Sequence, residues 1–133
     1  MKTYKLLTPG PLTTTDSVKQ EMLFDHCTWD EDYKQITQRI RRELLQLAHV
    51  DETAYTTVLM QGSGTFGVES VISSVIPDDG CLLLLSNGAY GERIAAMCRY
   101  HHINCVHIVQ DYDKMPDRMK AEEALKQHPE ITH

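Results

Sequence analysis

From residue 54 onwards, short apolar runs of strand length alternate with amphipathic runs of helix length. Such alternation indicates a parallel sheet with helices on its faces, because successive parallel strands need a helical crossover. The predicted elements are strands at 54–60, 81–86 and 103–109 and helices at 65–76, 89–100 and 117–127. The sequence therefore predicts an α/β fold with a three-layer, mostly parallel sheet and flanking helices.

The first fifty residues lack this alternation and predict an arm followed by helices. Prolines on both sides of Gly10 favour an extended arm with a turn. After a short helix near Val18, a longer helix follows Trp29, and its apolar residues recur every three or four positions, which places them on one face. They are Tyr33, Ile36, Ile40, Leu44 and Leu47. We therefore assign residues 1–50 to an N-terminal arm and helices, and residues 51–133 to the first part of a βα-repeat domain.

The last residues, from Glu130 to His133, predict the beginning of another strand. A finished strand is usually longer, commonly about five residues. We therefore expect the chain to be truncated within its βα-repeat domain.

The composition is typical of an ordinary globular protein. The chain has 133 residues, of which 41% are hydrophobic and 24% are charged, so it has the size of one domain at most. Its formal net charge of −6 argues against nucleic acid as the main partner. The longest apolar run, at 81–85, is far shorter than the ~18 residues of a membrane span. We expect neither a nucleic acid nor a membrane as partner.

The cysteines and histidines do not form a recognisable metal motif. The four cysteines lack the C-x-x-C spacing of zinc or thioredoxin-type sites. Cys105 and His107 share one face of a predicted strand, but two side chains fall short of the ligand count of a metal site. Thiols without a disulfide framework indicate a reducing compartment. Since no signal peptide follows Met1, we expect a cytoplasmic protein without a metal centre.

A glycine-rich turn, Gln-Gly-Ser-Gly-Thr-Phe-Gly at 61–67, separates a predicted strand from a predicted helix. The first amide groups of a helix have no partner inside it and lie at the positive end of its dipole. Ser63 and Thr65 add two hydroxyl groups at this point. The sequence therefore predicts a phosphate-binding site at the turn.

Two other interpretations of the turn remain open. Gly62, Gly64 and Gly67 satisfy the G-x-G-x-x-G pattern of nicotinamide-dependent oxidoreductases, but Asn87 stands where an acidic residue should bind the ribose. The turn could also need its glycines for conformation alone and bind nothing. A P-loop is excluded, because no Gly-Lys-Ser/Thr follows the glycines.

Three motifs, in this order, are similar to those of the class V, fold-type I pyridoxal-phosphate aminotransferases. They are Leu7-Thr8-Pro9-Gly10-Pro11, Gly62-Ser63-Gly64-Thr65 and Ser86-Asn87-Gly88-Ala89-Tyr90-Gly91-Glu92-Arg93. The resemblance extends over essentially the whole chain, but over only the N-terminal part of a family member. It implies part of the large domain of the transferase fold, with 51–133 as the cofactor-binding region after an arm and helices.

The resemblance also implies roles for particular residues. Ser63, Gly64 and Thr65 would hold the phosphate of pyridoxal 5′-phosphate, and Tyr90 would stack on its pyridine ring. In the N-terminal arm, Thr8 and Gly10 would lie near the substrate. We interpret Arg93 as a structural or interface residue rather than a phosphonate ligand.

The reacting lysine of the family is not assigned to this chain. Transamination needs a lysine that forms a Schiff base with the cofactor. None of the lysines here follows a strand as the family's lysine does, and the nearest match, Lys114, precedes Met115-Pro116 in a charged loop. We therefore assign no catalytic residue and expect the isolated chain to be inactive.

The chain also resembles, more narrowly, the members of this family that act in phosphonate catabolism. The residues that carry this resemblance are Asp25-His26-Cys27-Thr28-Trp29-Asp30, Gln61 and Phe66. It implies 2-aminoethylphosphonate and pyruvate as small-molecule substrates, and a homodimer. The alternatives are a glyoxylate or serine transaminase of the same class, a nucleotide-binding oxidoreductase domain, and a non-enzymatic chain whose sheet edge pairs with a partner.

Overall fold

A computed structural model describes residues 4–8 and 10–133. The chain divides into two compact units, one up to Leu59 and one from Met60. In the described ranges, no helix is both long enough and apolar enough to cross a membrane.

The first unit contains two helices, α1 (Asp16–Glu21) and α2 (Glu31–Leu47). The Thr15 side chain caps α1 by accepting a hydrogen bond from the Val18 amide. Helix α2 confirms the helix predicted after Trp29. Its apolar stripe has no buried member, so this helix does not bury its hydrophobic face within the first unit.

The strand predicted at 54–60 is wrong, because these residues belong to no strand. A strand needs a neighbour for its backbone groups, and α2 provides side-chain and carbonyl partners instead. The Arg41 guanidinium donates to the Thr57 carbonyl oxygen at 3.0 Å and to Thr56 Oγ1 at 2.7 Å. In return, Thr57 Oγ1 donates to the Arg41 carbonyl oxygen at 3.1 Å. Ala54 therefore lies in a turn, and Thr56 and Thr57 are tied to α2 instead of to a neighbouring strand.

The second unit contains the predicted alternation of helices and strands. Its elements are α3 (Gly64–Val75), β1 (Cys81–Ser86), α4 (Ala89–Tyr100), β2 (Asn104–Val109) and α5 (Arg118–Gln127). Strands β1 and β2 pair in parallel, with Cys81 opposite Asn104 and Ser86 opposite Val109. This confirms the predicted α/β fold, and each of these elements begins and ends within one residue of its predicted bounds.

The core of the second unit lies where α3 and α4 meet the sheet. Its buried cluster comprises Ile72, Ile76, Met97 and Cys98. Leu82 of β1 and Cys105 of β2 pack against this cluster. Glu69 of α3 also bonds His101, just after α4, with 2.8 Å between Oε1 and Nε2. Packing and a polar pair therefore fix α3 and α4 against each other.

The final residues hydrogen-bond along β1. The Leu83 amide donates to the His133 carbonyl oxygen at 2.7 Å, and the His133 amide donates to the Cys81 carbonyl oxygen at 3.1 Å. This alternation between residues 81 and 83 is the bonding pattern of a parallel ladder. Residues 131–133 therefore lie alongside β1, as predicted for the beginning of a strand.

Candidate functional site

The glycine-rich turn at the start of α3 adopts a conformation that requires glycine at position 62. Gly62 has a φ of +150°, and a Cβ added there would lie 2.6 Å from Cδ1 of Phe66. A larger residue would therefore strain the backbone and displace the aromatic ring. The next residue, Ser63, caps α3, because its Oγ accepts a hydrogen bond from the Phe66 amide at 3.2 Å.

The first turn of α3 leaves donors free for an anion. In the part of the chain that the structure describes, the Gly64 and Thr65 amides have no hydrogen-bond partner. Ser63 and Gly64 are exposed and Thr65 is half-buried, so an anion can approach the turn from solvent. The helix dipole adds positive potential at this end. The turn thus has the donors and the access that a phosphate group needs.

Arg93 of α4 reaches across to this turn. Its Nη1 donates to Thr65 Oγ1 at 2.9 Å, and its guanidinium carbon lies 5.5 Å from the centroid of the Tyr90 ring. The structure therefore brings predicted residues from two separate motifs into one neighbourhood. The sequence offered one signal for this arrangement, since residues three apart in a helix share a face.

Helix α4 begins directly at the carboxyl end of β1. Gly91, in its first turn, lies so close to the strand that an added Cβ would overlap Cβ of Ser86. Tyr90 precedes Gly91 and keeps most of its ring in solvent, with 72% of the residue exposed. The close approach therefore fixes the helix start, while the ring remains available to a ligand.

A polar pair that the sequence analysis missed lies beneath this helix start. Ser86 Oγ and His107 Nε2 are 2.6 Å apart, and Glu92 Oε1 lies 3.7 Å from the same nitrogen. In the sequence, His107 is notable only for sharing a strand face with Cys105, and the spacing of Ser86 and His107 does not indicate the contact. The pair satisfies the buried Ser86 hydroxyl and links β1 to β2 below α4.

Asn87 stands where a dinucleotide-binding site would have an acidic residue, and here its side chain makes a structural hydrogen bond. Asn87 Nδ2 donates to the Lys114 carbonyl oxygen at 2.9 Å and so joins the loops after β1 and β2. A hydrogen-bonded amide lacks the carboxylate oxygens that bind ribose hydroxyls. Across residues 4–8 and 10–133, no group of three or more His, Cys, Asp or Glu side chains could hold a metal ion.

The predicted substrate neighbours Thr8 and Gly10 belong to the first unit. Thr8 Oγ1 donates to the Pro11 carbonyl oxygen at 3.1 Å, and apart from the chain neighbours of Gly10, no described residue has an atom within 4 Å of its Cβ position. Both residues are exposed, and Pro9 lies outside the described residues. Their role towards a substrate stays a prediction.

Sequence comparison finds close relatives for the whole chain, although no protein-family model matches it. A 2-aminoethylphosphonate–pyruvate transaminase from Lysinibacillus sphaericus is 55% identical over 133 residues, which is 100% of this chain and 36% of the relative. Proteins of the same name from Bacillus cytotoxicus and Lactiplantibacillus plantarum are 53% and 48% identical over 98% of this chain. The chain spans about 36% of the length of these relatives.

Structural comparison gives the same fold. Pyridoxamine–pyruvate aminotransferase from Mesorhizobium loti superposes with a TM-score of 0.82 over 97% of this chain and 32% of that chain, at 21% identity. As aminotransferases, these proteins imply pyridoxal phosphate and small-molecule substrates in general. The chain is therefore homologous, over all of its own length, to the N-terminal portion of proteins named 2-aminoethylphosphonate–pyruvate transaminase, and it has the α/β fold of a pyridoxal-phosphate aminotransferase.

Proposed function

We propose that this chain forms the phosphate-binding and ring-stacking part of an aminotransferase that moves the amino group of 2-aminoethylphosphonate to pyruvate. The observation that carries the proposal is the 55% identity to a transaminase of that name, which extends over all 133 residues. The geometry of the second unit supports the cofactor part of the proposal. The substrates follow from the names of the relatives.

The first turn of α3 binds the cofactor phosphate in this proposal. The unpaired amides of Gly64 and Thr65 donate to its oxygens, and the hydroxyl groups of Ser63 and Thr65 lie at the same turn. A dianionic phosphate suits the positive end of a helix. These residues fit the phosphate of pyridoxal 5′-phosphate, because the donors lie together in one helix turn that is open to solvent.

Tyr90 supplies the stacking surface. Its exposed ring is flat and amphipathic, so it can cover a pyridine ring while its hydroxyl group stays hydrated. The bound cofactor acts as an electron sink for the amino-bearing carbon of the substrate. The residues of this chain bind and orient, and the lysine that reacts with the cofactor is assigned to none of them.

The proposal also covers the N-terminal arm, the oligomeric state and the cellular location. Thr8 and Gly10 lie near the substrate, and the active enzyme is a homodimer. The exposed apolar stripe of α2 supports assembly, because such a face is normally covered in a folded protein. All four cysteines are free, which supports the reducing cytoplasm as location.

A chimera tests this function. In it, the chain replaces the matching 36% of the Lysinibacillus sphaericus relative. We expect the chimera to form alanine from pyruvate with 2-aminoethylphosphonate as donor, and the isolated chain to give no turnover. Activity with serine and glyoxylate, but not with this pair, would contradict the proposed substrates. Binding of a nicotinamide dinucleotide in place of pyridoxal phosphate would contradict the proposed cofactor.

Variants of two tyrosines in α4 test the stacking surface. We expect Tyr90→Leu to weaken the binding of pyridoxal phosphate about tenfold, in line with the loss of an aromatic contact. Tyr100→Leu is the matched control, since Tyr100 is equally exposed but lies at the other end of the helix. Equal affinities for both variants would contradict the role of Tyr90.

A further inference from the structure

Arg93 makes two contacts that join the phosphate-binding turn to the stacking residue. It donates a hydrogen bond of 2.9 Å to Thr65 Oγ1, and its guanidinium carbon lies 5.5 Å from the Tyr90 ring centroid, within the range of a cation–π contact. Thr65 and Arg93 are 28 positions apart in the sequence. One side chain thus spans two elements that the proposed cofactor must touch at once.

The direction of the hydrogen bond determines what the Thr65 hydroxyl can do. A guanidinium group only donates, so Thr65 Oγ1 is the acceptor in this pair. The hydroxyl hydrogen therefore remains available to another acceptor. Phosphate oxygens are acceptors only, and the hydroxyl stands in the first turn of α3, next to the unpaired amides. The hydrogen bond from Arg93 therefore leaves the Thr65 hydroxyl group as a donor for an anion.

The charge of Arg93 is not neutralised by a carboxylate. Among the described residues it has no ion-pair partner within 4.0 Å. The acidic residues of α3 and α4 contact histidines instead, Glu92 with His107 and Glu69 with His101. An unpaired cation beside an array of free donors favours an anion more than the helix end alone would.

We propose that Arg93 is a positioning residue for the cofactor, which holds the Thr65 hydroxyl towards the phosphate and the Tyr90 ring over the pyridine. This inference rests on the proposed function, and it gives a specific role to Arg93, which the sequence alone indicates only as a structural or interface residue. It assigns Arg93 to the phosphate end of the cofactor. Its effect therefore depends on whether the ligand carries a phosphate.

The test compares two ligands that differ only in that phosphate. Dissociation constants for pyridoxal 5′-phosphate and for pyridoxal are measured by equilibrium dialysis on the cofactor-free chimera and its variants. We expect Arg93→Met to reduce the preference for the phosphorylated form about tenfold, as for loss of a charge-assisted hydrogen bond. Arg93→Lys keeps the charge and one donor and should restore part of that preference. Arg99→Met in the same helix is the matched control, with no expected change.

A second variant separates positioning from general disturbance of the fold. If Arg93 acts through Thr65, then Thr65→Val lowers the preference by a similar factor, and the double variant Thr65→Val with Arg93→Met loses little more than either single variant. If the double variant instead lost the product of the two single-variant factors, Arg93 and Thr65 would act independently, and the inference would be overturned. A phosphate preference that Arg93→Met leaves unchanged would overturn it too. If the parent chimera showed no preference for the phosphorylated ligand, the proposed cofactor site would fail, and the role of Arg93 with it.

Discussion

Gly67 and Gly91 both lie inside helices, but their surroundings differ completely. Apart from the backbone of its own helix, an added Cβ at Gly67 would meet no atom of the described residues within 4 Å, whereas one at Gly91 would overlap Ser86. We therefore expect Gly91→Ala to destabilise the chimera by about 1–3 kcal/mol through overpacking against β1. Gly67→Ala should be neutral or stabilise it by about 0.5–1 kcal/mol, because alanine favours helices.

Thermal melting of both glycine variants measures this difference. Gly91→Ala should melt below the parent chimera and Gly67→Ala at or above it. Loss of cofactor affinity should accompany only Gly91→Ala, since this substitution moves the helix start that carries Tyr90. Equal melting temperatures would mean that α4 does not approach the strand as closely as the structure indicates.

The Cys105 thiol should react slowly with alkylating reagents. Burial, together with the nearby Cys98 and Cys81 thiols, raises the pKa of Cys105 to about 11, against an ordinary value of 9.0. The thiol stays protonated in the folded state up to that pKa, and thiolate is the reactive form. Since the folded state holds this proton more tightly than the unfolded state, the stability falls as the pH rises from about 9 to 11.

Mass spectrometry after brief treatment with iodoacetamide at pH 8.5 tests the thiol prediction. We expect modification at the exposed Cys27 while Cys105 remains unmodified. Cys105→Ser removes the titrating thiol, so this variant should lose less stability between pH 9 and 11 than the parent does. Labelling of Cys105 as fast as Cys27 would contradict its raised pKa.

At the scale of the element, the start of α3 combines a helix cap with an anion site, and two substitutions of Ser63 can separate these roles. Ser63→Ala removes the acceptor of the Phe66 amide and should cost about 1 kcal/mol. Ser63→Asp restores a good cap and suits the helix dipole, so stability should return. Its carboxylate, however, repels a phosphate at the same turn.

The expected results for Ser63→Asp are therefore a normal melting temperature and a weakened affinity for pyridoxal phosphate. Differential scanning fluorimetry and equilibrium dialysis give these two values on the same sample. Ser63→Asn is the control, since it also caps the helix but adds no charge. If Ser63→Asp bound the phosphorylated cofactor as tightly as Ser63→Asn, the phosphate would have to lie away from this turn.

The elements of the second unit could be predicted from the sequence because their signals are local. Apolar periodicity and the turn at Pro77–Gly80 determined β1, α4 and their neighbours to within one residue. The strand predicted at 54–60 failed because a strand also needs a pairing partner, which no local pattern reports. The contact of Arg93 with Thr65 could not be predicted for the same reason, because the contact depends on how α3 and α4 pack together.

At the scale of the whole molecule, the described residues of the first unit include an exposed hydrophobic face on α2. The α2 stripe, from Tyr33 to Leu47, has no buried member, although its spacing is that of a packed helix face. The second unit likewise has a sheet of only two paired strands, extended by residues at 131–133. Small sheets and single amphipathic helices gain most of their stability from further packing. We therefore expect the stripe to be buried in the chimera, where the remaining elements of the relative are present.

Substitutions on opposite faces of α2 test that expectation in the chimera. Ile40→Glu places a charge within the stripe, whereas Gln38→Glu places the same charge on the polar face of the same helix. If the stripe is covered, Ile40→Glu should cost about 2 kcal/mol or more, because a carboxylate would be buried without a partner. Thermal melting should then drop for Ile40→Glu alone, and light scattering would report whether a dimer dissociates at the same time. Identical melting of the two variants would mean that this face stays in solvent, and the homodimer would then need another surface.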